Sequence, residues 1–128
     1  MGLIKQSSGT RTLATGATTD TVTFTNVFGK IQKVVATFSG TSSDFKLYTL
    51  AGDGATVVEY ILGASGATIT QANNTTAYYP RAGAVTIANG AITNSFVNYV
   101  TIGSIKVDVT NVAQTETWSV ELYYDDQN

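Results

Sequence analysis

The stretch Thr19-Asp20-Thr21-Val22-Thr23-Phe24-Thr25-Asn26-Val27 decides the fold class. Val22 and Phe24 fall on one face of an extended chain, and Thr21, Thr23 and Thr25 fall on the other. Successive side chains of a strand point to opposite faces, and threonine's branched Cβ suits the pleat. The segment therefore reads as a half-buried strand with threonine on its wet side. The same alternation recurs on the C-terminal side. Lys30 to Phe38 puts Val34, Ala36 and Phe38 on one face, and Phe28-Gly29 reads as a break between the two strands. Phe45 to Leu50 sets Phe45 and Leu47 against Lys46 and Tyr48, while Val57 to Leu62 sets Val58, Tyr60 and Leu62 against Val57, Glu59 and Ile61.

Tyr99 to Ile102, Ile105 to Val109 and Thr117 to Tyr124 alternate as well. In the last of these Trp118, Val120, Leu122 and Tyr124 share one face, so Trp118 reads as core. Asp125-Asp126 closes that strand with charges that discourage edge pairing. Turn residues separate the runs: Ser39 to Asp44, Gly52-Asp53-Gly54, and Gly63-Ala64-Ser65-Gly66. Thr68 to Phe96 is less regular. Within it Asn73 to Thr76 reads as an exposed loop, and Asn89-Gly90 as a type I′ hairpin turn. No apolar i, i+3, i+4, i+7 pattern is sustained, so no significant helix is expected. The prediction is all-β: a single antiparallel β-sandwich, jelly-roll or immunoglobulin-like, over residues 19–128. Residues 1–18 would form an N-terminal arm or a first edge strand.

The 128 residues suit one domain, and composition narrows its chemistry. There is no His and no Cys. A Ser-His-Asp triad, a Cys nucleophile, a disulfide and the usual zinc or haem donors are thereby excluded. Charged residues are 12% of the chain, about half the usual fraction, and the formal net charge is −2. That balance argues against nucleic acid as a partner. Membrane binding through an apolar span is not expected, and neither is a secretion signal; the chain reads as a soluble cytosolic product.

The nine acids are scattered, which gives little support to a glycosidase pair about 5–10 Å apart. Asp44 and Asp53 could meet calcium only with loop carbonyls, because no regular oxygen-ligand spacing is present. Gly63 to Gly66 lacks the following Lys-Ser/Thr of a phosphate loop and reads as a turn. Catalytic, cofactor and metal residues are therefore assigned to none of these. Tyr78-Tyr79-Pro80-Arg81 stands out instead. Tyr and Arg are enriched at protein interfaces, and Pro80 holds Tyr79 extended. Three readings stay open: one Tyr packed inward with Arg81 solvated, an interface anchor, or a sugar-stacking platform. Low charge and neutral Thr/Ser/Asn strand faces suit lasting contact with other subunits.

Thr75-Thr76-Ala77-Tyr78-Tyr79-Pro80-Arg81, preceded by Gly66-Ala67-Thr68-Ile69 and followed by Ile105-Lys106-Val107-Asp108-Val109, resembles small virion proteins of tailed bacteriophages. Gly29-Lys30 to Phe38 and Ser42-Ser43-Asp44-Phe45-Lys46-Leu47 fit the same pattern, so the resemblance runs from Thr19 to Tyr124. It implies an all-β capsid decoration, cement or minor head protein. Such a protein is made in the bacterial cytoplasm and sits on the capsid exterior. The implied partners are the major capsid protein and further copies of the chain, often as trimers, with no enzyme activity and no cofactor. Tyr78, Tyr79, Pro80 and Arg81 become interface candidates on this reading. Arg11 joins them if the first 18 residues reach a neighbouring subunit. The alternative is a carbohydrate-binding or receptor-binding fibre or tail domain.

Overall fold

The structure, a computed structural model, describes residues 2–85, 91–113 and 115–126. Its strands are β1 (Gly2–Ser7), β2 (Arg11–Thr12), β3 (Asp20–Phe38), β4 (Ser43–Leu50), β5 (Val57–Leu62) and β6 (Ile69–Gln71). They continue with β7 (Asn74–Tyr78), β8 (Ala82–Val85), β9 (Ala91–Val97), β10 (Val100–Thr110) and β11 (Thr117–Asp126). Among the described residues there is no helix, and so none long and apolar enough to cross a membrane. Neighbours along the main sheet run β1-β11-β3-β10-β4-β5, all antiparallel. β2 joins β11, β6 joins β4, β7 joins β3, and β8 pairs with β9 apart from the rest.

β3 organises this arrangement because its two halves have different partners. Asp20 to Lys30 pairs with β10, while Gly29 to Phe38 pairs with β11 and Val34 to Phe38 also with β7. The sequence reading put a break at Phe28-Gly29, but the strand runs through it. Two extra residues, not a gap, reset the alternation. Between Val27 and Phe24 the strand takes three steps while β10 takes two, from Gly103 to Ile105, and Asn26 there has φ 57°. Between Lys33 and Ile31 it takes two steps while β11 takes one. Each bulge bends the strand and moves its apolar set to the other parity. The buried residues accordingly change from Phe24, to Val27 and Ile31, to Val34, Ala36 and Phe38.

The bent strand lets one open antiparallel sheet fold over a single core as a sandwich. Phe24, Phe45, Leu47, Ile105, Val107 and Val109 meet Val34, Ala36, Phe38, Trp118, Val120 and Leu122 in one buried cluster. Trp118 is 1% exposed, as its place on an alternating strand predicts. Side chains tie the margins. Gln6 of β1 donates to the Thr25 carbonyl at 2.9 Å and to the Tyr124 hydroxyl at 3.0 Å.

The expected role of Asp125-Asp126 is corrected. β11 is flanked to its end by Gly2 on one side and Gly29 on the other, so no open edge exists there for charge to blunt. The Asp125 carboxylate instead accepts a 2.6 Å hydrogen bond from Gln32 Nε2. The first residues contribute β1 and β2, both laid on β11. The Asn89-Gly90 turn lies outside the described residues; the strands on either side of it, β8 and β9, pair antiparallel.

Candidate functional site

The Tyr78-Tyr79-Pro80-Arg81 segment alternates between the inside and the outside of the molecule. Tyr78 ends β7 with its ring at an edge-on 5.6 Å from Phe45, and its hydroxyl donates to Gln71 Oε1 at 2.8 Å. Burial raises the Tyr78 pKa, so the hydroxyl remains a donor. Tyr79 turns outward and is 62% exposed. Pro80 is buried, and Arg81 is exposed again. Arg81 Nη1 donates to the Pro80 carbonyl at 2.7 Å, with the Gln32 carbonyl at 3.5 Å. A half-buried Tyr78 and a buried Pro80 thus anchor two projecting residues.

Tyr79 and Arg81 line a groove of about 430 Å³ with Leu3, Gln32, Lys33, Tyr123 and Asp125. β1, β3 and β11 supply its floor, because residues two apart on one strand and opposite one another on paired strands share a face. Lys33 Nζ stands 4.8 Å from the Tyr123 ring centroid, a cation–π contact that covers one face of that ring. Leu3, which β1 contributes, is exposed in the groove. The result is an open recess with an aromatic, an aliphatic and a guanidinium group, suited to receiving a side chain or loop.

Arg11 is not part of this groove. It lies beside Trp118, toward the other end of β11 from Tyr123 and Asp125. Its guanidinium binds both oxygens of Asp20, Nε at 2.8 Å and Nη2 at 3.2 Å, and stands 5.9 Å from the Trp118 ring centroid. The side chain ties β2 to the start of β3. Its hydrogen bond with Asp20 raises the Arg11 pKa and lowers that of Asp20.

Of the carboxylates weighed for calcium, Asp53 serves a turn and Asp44 links β4 to β6 and Asn111. Asp53 accepts from the Ala55 and Thr56 amides at 2.9 Å and from Thr56 Oγ1 at 2.5 Å, which lowers its pKa to about 2. Asp44 accepts from Thr70 Oγ1 at 2.5 Å and from Asn111 Nδ2. Among the described residues no group of three or more acids gathers as a metal site. Gly63 to Gly66 is a tight turn in which Ala64 and Ala67 exchange backbone hydrogen bonds of 3.0 and 3.1 Å.

One surface escaped the sequence reading. Val58, Phe96, Val97, Val100 and Ile102 are all more than half exposed. The signal was present in β10. Ile105, Val107 and Val109 are buried, and the same parity carried back puts Thr101 inside and Val100 and Ile102 outside. Thr101 is indeed buried, its hydroxyl 3.3 Å from the Val27 carbonyl. Apolar residues on the outward parity are a more telling sign than alternation itself. No protein-family model matches the chain, and a search of the curated proteins found no match.

Proposed function

We propose that the chain is a structural virion protein that decorates or cements a bacteriophage capsid, binding on its exterior between major capsid protein subunits. The observation that carries this reading is the outward presentation of Tyr79 and Arg81 by the half-buried Tyr78 and the buried Pro80. Fixing side chains before contact reduces the entropy lost on binding, and Tyr and Arg anchor many interfaces. The resemblance to small virion proteins supplies the partner. Stabilisation follows from mass action: a protein that binds only the assembled lattice favours that lattice. Further copies of the chain, as trimers on the resemblance, would cover the capsid without any catalytic step or cofactor.

The alternative, a glycan-binding tail or fibre domain, draws on Tyr79 and Tyr123 lining one groove. Lys33 over the Tyr123 ring weakens it, because that face is already occupied. The deciding experiment adds purified chain to expanded heads assembled without it. The proposal expects saturable binding and greater heat resistance of the heads. Heads that neither bind the chain nor gain heat resistance sink the proposal, and selective retention on a glycan array would put the alternative in its place.

A further inference from the structure

Five exposed apolar residues outside the Tyr79 groove gather in one strip, which carries Lys30 opposite Val100 in the β3–β10 ladder and Glu59 on β5. Val100 belongs to two shallow depressions at once. It shares one with Lys30, Phe96 and Val97, and the other with Val58, Glu59 and Ile102. Ile102 is 81% exposed, Phe96 65% and Val58 64%. A contiguous apolar surface of this kind on a soluble chain marks a contact site. Lys30 and Glu59 are both exposed, and among the described residues neither has an ion-pair partner. β5, which carries Val58 and Glu59, ends the strand path and pairs on one side alone, with β4.

We propose that a second copy of this chain covers the strip, with Lys30 of one copy facing Glu59 of the other. The charge pattern selects this occupant. A strip with a cation beside Val100 and an anion on β5 complements itself when laid on another copy in reverse. Ile102 then lies near Ile102, the apolar residues on either side cover one another, and Lys30 of each copy meets Glu59 of the other. This twofold contact departs from the trimer that the resemblance implies: in a symmetric pair the same patch serves both partners, so every contact between two different residues is made twice. The strip shares no lining residue with the Tyr79 groove, although the two adjoin where Lys30 stands opposite Asp125, and the groove is left to a different partner.

Sedimentation equilibrium of the full chain tests this. Wild-type protein is expected to self-associate, and Ile102→Asp to weaken that association by at least about tenfold. At 81% exposure Ile102 has little to do with folding, so the thermal melt of the variant should match wild type. Lys30→Glu and Glu59→Lys should each weaken association by roughly 3- to 10-fold, and the double exchange should restore it. A monomeric wild type overturns the proposal, as does an Ile102→Asp variant that associates normally or a double exchange that restores nothing. A monomeric wild type that binds heads through Ile102 also overturns it, by giving the strip to the capsid. Association that survives while head binding fails sinks the capsid reading alone.

Discussion

Gly29 in β3 lies so close to Asp125 in β11 that a Cβ on Gly29 would stand 1.7 Å from the Asp125 carbonyl oxygen. Its φ of 151° is also one that side chains rarely adopt. This is the point at which β3 passes from β10 to β11 as its partner. Gly103, with φ 115°, has nothing within 4 Å of its would-be Cβ and serves as the control. Gly103→Ala should cost about 1–2 kcal/mol through backbone conformation alone. Gly29→Ala should cost more, about 3–4 kcal/mol, because the backbone must also move apart. Urea melts measure both, and equal losses would refute the close approach as the cause.

Asp20 gathers the start of β3, β2 and β11 through one carboxylate. It accepts from Arg11 Nε and Nη2, from Trp118 Nε1 at 3.0 Å and from the Thr21 amide at 2.9 Å. The Arg11 hydrogen bond leads in lowering its pKa below 3.8. A depressed carboxylate stabilises the fold above its unfolded pKa, and that stabilisation is lost as pH falls through the folded value. Asp20→Asn should therefore destabilise by about 1–2 kcal/mol near pH 7, with the deficit shrinking at acid pH, below the ordinary 3.8 of the carboxylate. The single Trp, hydrogen-bonded to Asp20, reports unfolding by its fluorescence. A deficit that is the same at both pH values would show that the charge is not responsible.

Gln71 is 4% exposed and ties β6 to β3 and β7, strands with which β6 does not pair. Its Nε2 donates to the Ala36 carbonyl at 2.8 Å and the Asn74 carbonyl at 3.1 Å, and its Oε1 accepts from Tyr78. Gln71→Leu should cost about 1–3 kcal/mol by leaving those groups without their partner, and Tyr78→Phe about 1 kcal/mol. The two changes should be less than additive, since each removes the same Tyr78–Gln71 bond. A double-mutant cycle in urea measures that coupling, and strict additivity would show the bond contributes nothing.

These contacts mark where the sequence was legible. Val22, Phe24, Val34, Ala36 and Phe38 obey local alternation, so the strands and their buried faces could be read directly. The continuity of β3 could not. Its bulges at Thr25-Asn26 and Gln32 are defined by register against β10 and β11, which lie some 70 to 100 residues further on. Local sequence shows only the change of parity, which resembles a break. Asp125-Asp126 misled for the same reason: whether a strand end is an edge depends on β1 pairing from the other terminus. Of the site, Tyr78 to Arg81 was visible as a local motif, but Leu3, Lys33 and Tyr123 come to it through strand pairing. Ile102 was readable in principle, by carrying the parity of Ile105 backward.

The division of labour within Tyr78-Tyr79-Pro80-Arg81 gives the sharpest test of the proposed site. Tyr78 packs on Phe45 and bonds Gln71, whereas Tyr79 is 62% exposed. Tyr78→Ala should thus lower stability by about 3 kcal/mol or more, as loss of a packed aromatic does. Tyr79→Ala should alter it by less than about 0.5 kcal/mol, the usual range for an exposed site. Binding to heads should respond in the opposite sense. Tyr79→Ala and Arg81→Glu should each reduce affinity by roughly tenfold or more while the thermal melt of the free chain stays put. The melt and the head-binding isotherm, measured on the same preparations, separate the two roles. Unchanged head binding in both Tyr79→Ala and Arg81→Glu would remove this groove from the contact surface, because neither substitution has a fold defect to compensate for it.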